Sequence, residues 1–340
     1  MDILPPGKLN SDYLSELIGK IEIKDKDIVV GPGIGEDAAV IKINDRFVIV
    51  KSDPITFATE RIGWYVVNVN ANDIAAMGGT PRWFLVTILL PEGKTTKAMI
   101  EEIMDDLKKS CRVLGISLIG GHTEVTPNLT HPILAGTMIG ETNSSRLIKT
   151  DGVREGNLLF MTKGVAIEAT SVIAREKKHE VIENFGKDFY LRCINFLENP
   201  GISVVKDAKL ALESVNVTGM HDPTEGGVLN GAYEMARGAG LGLEVYLENI
   251  PVYEETKILC SHFNISPYGA IASGSLLIAV DRTDRDKIER VFNKNNSHFG
   301  VPPISYIGRF TRIGEPVFVI KNGEREEIYP TGRDEVTKIF

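Results

Sequence analysis

Five short acidic or amide-rich segments interrupt the apolar pattern of this chain, each where a predicted strand or helix meets a turn. They are Gly35-Glu36-Asp37-Ala38-Ala39-Val40, Ser52-Asp53-Pro54, Asn70-Ala71-Asn72-Asp73, Gly120-Gly121-His122-Thr123-Glu124 and His221-Asp222-Pro223-Thr224-Glu225-Gly226-Gly227. Two carboxylates about 4 Å apart repel by roughly 4 kcal/mol at an effective dielectric constant of about 20. A fold that gathers several of them therefore needs bound cations, and a divalent metal beside glycine-rich turns is typical of a nucleotide phosphate site.

The bulk composition narrows the class of protein. The chain has 340 residues, 43% of them hydrophobic, and a formal net charge of −8. Because a single core usually stops growing at about 250–300 residues, we expect two domains. The acidic balance argues against a nucleic-acid binder, which needs a basic surface to neutralise phosphates. The sequence shows neither a long apolar run nor a signal-peptide layout, so we expect a soluble cytoplasmic protein that does not enter a membrane.

The three cysteines, Cys111, Cys193 and Cys260, are far apart and none belongs to a C-x-x-C pair. Such spacing supports neither a disulfide framework nor a cysteine zinc site. We expect all three to be buried as small hydrophobic side chains.

Apolar periodicity predicts strands and helices in both halves of the chain, which is typical of an α/β or α+β architecture. Strands over 38–43 and 47–52 flank a hairpin turn, and a helix over 61–77 stops at two glycines. A second helix begins after Thr95 or Thr96, either of which can cap it.

The polar, turn-rich segment from Gly140 to Gly156 is the candidate domain junction. We place the boundary near residue 150, which predicts an N-terminal domain over 1–150 and a C-terminal domain over 151–340.

The first acidic segment can serve as a phosphate-binding loop. Gly31, Gly33 and Gly35 permit a tight backbone path, and Asp37 lies just before a predicted strand. Such a loop presents backbone N–H groups to phosphates and a carboxylate to a metal. The alternative is an ordinary glycine turn whose acids accept hydrogen bonds from nearby amides.

Asp53 ends a predicted strand, and we expect Pro54 to prevent that strand from continuing. A carboxylate at a strand end points toward the crevice where α/β proteins bind ligands, whereas the alternative is an Asx turn. On the helix over 61–77, Asn70 and Asp73 share one face. These residue types disfavour a helix, so either their side chains are needed for a function or they form a solvent-facing surface.

The last two acidic segments lie beside predicted regular elements, one after a strand and the other before a helix. His122 comes after a strand predicted over 116–119, and it can ligate a metal, bind phosphate or satisfy a turn hydrogen bond. Asp222 and Thr224 lie just before a helix that starts at two glycines, where an anion can bind, or they only cap that helix. A zinc hydrolase site built from His122 and His221 lacks the H-x-x-x-H spacing.

Taken together, the segments resemble those of the superfamily that contains aminoimidazole ribonucleotide synthetase, thiamine-monophosphate kinase, selenophosphate synthetase and the hydrogenase maturation factor HypE. The resemblance spans nearly the whole chain, and its most specific part is Asn72-Asp73-Ile74-Ala75-Ala76-Met77-Gly78-Gly79-Thr80-Pro81. The segment Asp222-Pro223-Thr224-Glu225-Gly226-Gly227 is most similar to HypE, whereas Gly35-Glu36-Asp37 is nearer the thiamine-monophosphate kinases.

The resemblance implies a two-domain, PurM-like α/β fold in which the N-terminal sheet joins that of a second subunit in a homodimer. It implies ATP and Mg²⁺ as cofactors, with a small-molecule acceptor. The implied metal positions are Asp37, Asp53, Asp73 and Asp222, of which Asp73 and Asp222 are the implied catalytic residues. The implied nucleotide contacts are Gly35, Asn70, Asn72, Gly120, Gly121 and Thr123.

Two departures from the family pattern matter for the function. His122 stands where the double-glycine segment usually continues with an acid, a place that Glu124 can fill. HypE carries its carbamoyl group on a C-terminal cysteine, whereas this sequence ends Lys338-Ile339-Phe340. A reactive N-terminal cysteine of the selenophosphate synthetase kind is also missing. The resemblance therefore implies a HypE-like protein with a different acceptor.

Three functions follow as hypotheses. The first is a Mg²⁺- and ATP-dependent enzyme that phosphorylates or activates a small molecule, in cofactor or metallocentre maturation, with thiamine-monophosphate kinase activity as its sharpest enzymatic alternative. The second is a nucleotide-binding dimer that acts as a scaffold or sensor for a maturation partner protein. The third is the zinc hydrolase, which predicts zinc and no affinity for ATP.

Overall fold

The computed structural model describes residues 9, 11–33, 35–56, 58–143, 146–294, 300–329 and 333–339. The chain divides into two compact units. The N-terminal unit comprises residues 25–31 and 37–147, and the C-terminal unit comprises residues 148–340 with 32–36 and the described part of 1–24. The predicted division at residue 150 did not anticipate that these two early segments cluster with the second half of the chain.

The N-terminal unit is a mixed sheet covered by helices. Its described strands are β1 (Ile28–Val30), β2 (Ala39–Ile43), β3 (Arg46–Ile55), β4 (Thr80–Pro91), β5 (Ser117–Thr126) and β6 (Ile133–Thr142), in the sheet order β1-β2-β3-β6-β4-β5. All neighbours pair antiparallel except β4 and β5, which are parallel. After α1 (Ser11–Ile18) of the other unit, the helices here are α2 (Ile62–Ala76) and α3 (Lys97–Leu114).

Helix α2 is buried along its whole length, because it lies between the sheet and α3. Apart from three asparagines and one aspartate, its residues are apolar or aromatic and surround the helix on all sides, which is typical of a helix enclosed by protein. Its C-terminal end is held to the sheet by the Thr142 hydroxyl group, which donates to the carbonyl of Gly78 at 2.9 Å. The amide and carboxyl side chains of α2 therefore lie inside the unit, and the alternative of a solvent-facing polar surface is wrong.

The C-terminal unit is a second mixed sheet with helices. Its described strands are β7 (Leu158–Thr162), β8 (Val217–His221), β9 (Leu241–Tyr246), β10 (Leu277–Val280), β11 (Ile304–Ile313), β12 (Val317–Lys321) and β13 (Glu324–Glu327), in the order β13-β12-β9-β11-β7-β10-β8. Its described helices after α1 are α4 (Ile167–Glu176), α5 (Lys178–Phe185), α6 (Lys187–Asn195), α7 (Val205–Ser214), α8 (Gly227–Gly238), α9 (Glu254–His262) and α10 (Arg285–Asn293). Every residue of β7 is buried, so this strand lies at the centre of the core.

Much of the predicted secondary structure is confirmed. The hairpin between β2 and β3 turns at Asn44, which has a left-handed φ of 54°. Helix α3 starts as predicted, since the Thr96 hydroxyl group accepts from the backbone N–H of Met99 at 3.2 Å. The three cysteines are free and buried, as expected. Among the described residues, no helix combines the length and apolarity that crossing a membrane requires.

Two strands are longer than predicted. Strand β3 does not stop at Asp53 but continues through Pro54 to Ile55, because β6 stays in register with it at Asp53↔Gly136 and Ile55↔Leu134. Strand β5 continues through both glycines, because its pairing with β4 runs on to Pro91↔Thr126. The double-glycine segment therefore lies inside a strand rather than after one.

Candidate functional site

Asn70 of α2 binds the backbone of β3 at Asp53. Its Oδ1 accepts from the N–H of Asp53 at 2.9 Å, and its Nδ2 donates to the carbonyl of Asp53 at 3.1 Å and to that of Val66 at 2.8 Å. Strand β2 pairs with β3 only as far as Val50, so the Asn70 amide supplies hydrogen bonds where the neighbouring strand has ended. The functional groups of Asn70 are thus engaged within the protein, where they fix the position of Asp53.

Gly136 makes this arrangement possible. It faces Asp53 across the β3–β6 ladder, and a Cβ atom there would lie 2.7 Å from Nδ2 of Asn70 and 2.7 Å from the Phe84 ring. Because those distances are far inside van der Waals contact, a residue with a side chain at position 136 would push Asn70 out of place.

Lys51 connects two of the predicted metal positions. Its Nζ lies 2.9 Å from Oδ1 of Asp73 and 3.3 Å from Oδ2 of Asp53. Lys51 precedes Asp53 by two residues on β3, and alternate residues of a strand point to the same face. The lysine side chain is about one fifth exposed, at 20%.

Asp37 completes a cluster of carboxylates in the N-terminal unit. It is buried, and it offers a carboxylate oxygen within 4.8 Å of one of Asp73. We call Asp37, Asp53 and Asp73 the acidic cluster. Three of the four predicted metal positions thus come together around the end of β3 and the last turn of α2.

Burial and charge act together on the acidic cluster. Burial raises the pKa of Asp73 above its ordinary value, Lys51 opposes this rise, and the carboxylates of Asp53 and Asp37 add to it. Burial lowers the pKa of Lys51, but Asp73 and Asp53 outweigh that effect and raise it above its ordinary value. Lys51 is therefore a permanent cation in this site.

The acidic cluster has the donor set for a divalent metal. Carboxylate oxygens are the ligands that Mg²⁺ prefers, usually with water and substrate phosphates. Oδ2 of Asp73 is buried and has no hydrogen-bond partner among the described residues. A buried carboxylate oxygen without a partner is costly, and a bound cation would remove that cost. The residues present therefore fit the metal that the sequence implied.

The double-glycine segment lies elsewhere in the same sheet. Strands β6 and β4 separate β5 from β3, so Gly120, Gly121 and Thr123 are not gathered with the acidic cluster within this chain. Gly121 lies against β4, where a Cβ atom would be 1.9 Å from the carbonyl oxygen of Val86. Only glycine fits at position 121, because β5 and β4 come so close together there.

His122 and Glu124 pair with each other on β5. Their side chains lie 3.0 Å apart and are exposed. The hydrogen bond from His122 lowers the pKa of Glu124, and Thr126 contributes a second one. Among the described residues, no histidine belongs to a group of three or more His, Cys, Asp or Glu side chains able to share a metal ion. A zinc site built on His122 is therefore unsupported in this part of the chain.

In the C-terminal unit, Asp222 follows β8 directly and is buried, with 3% of its surface exposed. Helix α8 begins at Gly227 as predicted, and its N-cap residue is Gly226, which has no side chain that could cap the helix. A capping role for Asp222 or Thr224 stays a prediction. The backbone carbonyl of Thr224 accepts from the N–H groups of Gly227 at 3.1 Å and Ala272 at 3.2 Å. Thr224 therefore connects the start of α8 to the backbone at Ala272.

Asp334 contacts the same loop from the far end of the sequence. Its Oδ2 accepts from the N–H of Gly226 at 2.7 Å, and its Oδ1 accepts from Ile271 at 3.2 Å and Val336 at 2.9 Å. The sequence suggested an anion at the start of α8, and the structure shows a carboxylate of the chain itself bound to Gly226 there. No local signal identifies Asp334, because 108 residues separate it from Gly226.

Three further residues from the predicted segments, Gly35, Asn72 and His221, each contact other parts of the chain or lie buried in it. Gly35 belongs to the C-terminal unit, where its carbonyl accepts from the Thr150 hydroxyl group at 2.7 Å. Its φ of +82° is left-handed, and a Cβ atom would lie 3.0 Å from the carbonyl oxygen of Glu234. Asn72 is fully buried on α2. His221 pairs with Glu234 at 3.2 Å.

Glu168 is a buried acid that no sequence motif indicated. It lies in the first turn of α4, and burial raises the pKa of Glu168 to about 7 against the opposing effect of Ser273. Asp334 and Glu225 add to the rise. The C-terminal unit thus has its own group of acidic side chains near the Gly226 loop.

Comparison with protein-family models gives two matches that cover most of the chain. Residues 35–142 match the AIR synthase related protein N-terminal domain, and residues 154–321 match the AIR synthase related protein C-terminal domain.

Similar sequences come from two kinds of relative. A putative hydrogenase expression/formation protein of Methanocaldococcus jannaschii is 23% identical over 292 residues, which span 83% of this chain and 84% of that protein. A selenide, water dikinase of Pseudomonas straminea is 27% identical over 252 residues, which span 72% of this chain and 67% of that protein.

Solved structures share the fold. HypE in complex with ATP superposes with a TM-score of 0.71 at 18% identity, covering 95% of this chain and 91% of that one. AaThiL complexed with AMPPCP and TMP gives 0.71 at 20% identity, covering 95% and 94%. The HypE–HypF complex gives 0.68 at 17% identity, covering 88% and 94%. At these identities the likeness concerns the fold alone.

Proposed function

The chain belongs to the AIR synthase related protein family, with its two-domain PurM-like fold, and we propose that it is a Mg²⁺- and ATP-dependent enzyme that phosphorylates or activates a small-molecule acceptor. The observation that carries this proposal is the acidic cluster, in which a buried oxygen of Asp73 has no hydrogen-bond partner among the described residues. Relatives and structural neighbours whose names include ATP, AMPPCP or a dikinase support the use of a nucleotide.

The carboxylates of the acidic cluster would hold Mg²⁺, which neutralises charge on a transferring phosphate group when it is bound. We assign Asp73 as the main Mg²⁺ ligand, because α2 fixes its backbone and its Oδ2 has no hydrogen-bond partner among the described residues. Asn70 positions Asp53 through the backbone of β3. The family resemblance also implies a metal-ligand role for Asp222 of the C-terminal unit, and this role stays a prediction. Phosphoryl transfer needs no covalent protein nucleophile, because catalysis rests on positioning and charge stabilisation.

A thermal-shift titration with ATP and Mg²⁺ tests the proposal. At 100 times its dissociation constant a ligand stabilises the folded state by about 2.7 kcal/mol. We expect this stabilisation in the natural protein and its loss in Asp73→Asn. The control is Asp105→Asn, which removes an exposed carboxylate from α3. An unchanged shift in Asp73→Asn would remove Asp73 from the metal site.

The activities proposed for this chain differ in the acceptor molecule that reacts with ATP. We propose a HypE-like reaction in cofactor or metallocentre maturation, because the putative hydrogenase expression/formation protein aligns over most of both chains. Thiamine-monophosphate kinase activity is the second candidate, since the likeness to AaThiL equals that to HypE. ADP release measured with and without thiamine monophosphate separates the two. If the protein binds ATP tightly but forms no ADP with any of the acceptors tested, it would instead be a nucleotide-binding scaffold.

We also propose a homodimer and a protein partner. The dimer is supported by β5, an edge strand of the sheet whose residues are mostly exposed. The partner is supported by the HypE–HypF complex, in which a protein of this fold is bound to a second protein, HypF. Co-purification with maturation proteins from the native cell tests the second point, and recovery of the chain alone would count against it.

A further inference from the structure

A lysine lies among the carboxylates that we assign to Mg²⁺. Lys51 bridges Oδ1 of Asp73 at 2.9 Å and Oδ2 of Asp53 at 3.3 Å. With all three carboxylates ionised, the acidic cluster has a charge of −3, and Lys51 reduces this charge to −2. The ammonium group of Lys51 therefore offsets part of the cost of burying the Asp73 carboxylate.

The two oxygens of Asp73 are used differently. Oδ1 contacts Lys51, whereas Oδ2 is buried without a hydrogen-bond partner among the described residues. A divalent ion that binds Oδ2 brings two positive charges close to the ammonium group, and like charges at such distances repel strongly. Lys51 and the metal therefore compete for Asp73.

Resting on the proposed function, we propose that Lys51 is an exchangeable internal cation. It holds the acidic cluster together when no metal is bound, gives up Asp73 to the divalent ion, and then contacts the anionic phosphate chain. The lysine is suited to this exchange because its ammonium group is a compact charge on a flexible four-carbon stem. Its side chain is 20% exposed, so it lies at the edge of the cluster rather than beneath it.

The proposal predicts two opposite effects of one substitution. In Lys51→Met, Mn²⁺ measured without nucleotide should bind at least about tenfold more tightly, because the competing charge is gone. ATP measured at saturating Mn²⁺ should bind at least about tenfold more weakly, because the phosphate contact is gone. A lysine that only supports the fold would not strengthen metal binding while weakening ATP binding.

Electron paramagnetic resonance of free Mn²⁺ gives the metal affinity, and calorimetry gives the ATP affinity. Lys51→Arg keeps the charge and should restore most of the ATP affinity. Lys42→Met, an exposed lysine of the neighbouring strand β2, is the control and should change neither affinity. Mn²⁺ affinity that is unchanged or weaker in Lys51→Met overturns the proposal.

Lys51→Met can also fail to fold, because it leaves buried carboxylates without their cation. In that case Mn²⁺ should rescue folding, seen as a cooperative unfolding transition that appears only with the metal. A variant that stays unfolded in excess Mn²⁺ overturns the proposal. If the natural protein binds neither Mn²⁺ nor ATP, the proposed function itself fails, which is a different result.

Discussion

The side-chain amide of Asn70 binds both backbone hydrogen-bonding groups of Asp53, accepting from its N–H at 2.9 Å and donating to its carbonyl at 3.1 Å. One buried amide on a helix thus takes the place of a neighbouring strand. The contact fixes the backbone of Asp53, the residue through which β3 contributes to the acidic cluster. It also explains why an asparagine is tolerated in the middle of a buried helix.

Replacing this amide should destabilise the protein. In Asn70→Ala the N–H and carbonyl of Asp53 lose their partner, and each buried unsatisfied group costs about 1–3 kcal/mol. We expect the free energy of unfolding to fall by roughly 2–4 kcal/mol in urea denaturation. Asn184→Ala is the control, because Asn184 makes an exposed hydrogen bond to the carbonyl of Glu180. Equal losses in the two variants would contradict the role of Asn70.

Glu168 should make stability depend on pH. Its pKa is raised to about 7 in the folded state from an ordinary 4.5, so the folded protein keeps a proton that the unfolded chain releases. Between these values the folded state binds more protons, and stability therefore falls as the pH rises through about 7. Glu168→Gln should remove this fall and become more stable than the natural protein at pH 8, by about 3 kcal/mol at most.

The measurement is urea denaturation of both proteins from pH 4.5 to pH 8. Near pH 4.5 the two should be similar, because the glutamine resembles the protonated acid. Glu213→Gln, an exposed position on α7, controls for the loss of one surface carboxylate. A constant difference between Glu168→Gln and the natural protein across this range would show that the Glu168 proton is not involved.

The sequence predicted those parts of the site whose signal is local. Helix α2 and its termini followed from an apolar run that ends at two glycines, and Asp53, Asn70 and Asp73 stood out as polar residues inside apolar elements. Three of the four predicted metal positions, Asp37 with Asp53 and Asp73, lie together in one unit.

What the sequence did not reveal depends on distant partners. A lysine in a strand usually reaches solvent, so Lys51 gave no signal until α2 placed Asp73 beside it. Asp334 was missed because its partners are far away in the chain. The sequence predicts an end of β5 before Gly120 because glycine weakens a strand on its own, whereas pairing with β4 continues the strand through Gly121.

Asp334 should hold the Gly226 loop in place. In Asp334→Asn one carboxylate oxygen becomes an amide nitrogen, which cannot accept from the N–H of Gly226 or Ile271. We expect a loss of about 1–3 kcal/mol in the free energy of unfolding. Asp281→Asn is the matched control, since Asp281 also caps a short helical turn but is exposed. Losses of the same size in both variants would mean that only the local turn matters.

Strand β5 should carry the dimer contact that we propose. It is an edge strand, and Ile119 and Val125 expose 54% of their surface on it. Charged side chains on an edge strand oppose pairing with another strand. Val125→Lys should therefore convert a dimer into a monomer in light scattering at matched concentration. Val113→Lys, which replaces a similarly exposed valine on α3, should remain a dimer. If the natural protein is monomeric, or if both variants dissociate, β5 is not the contact.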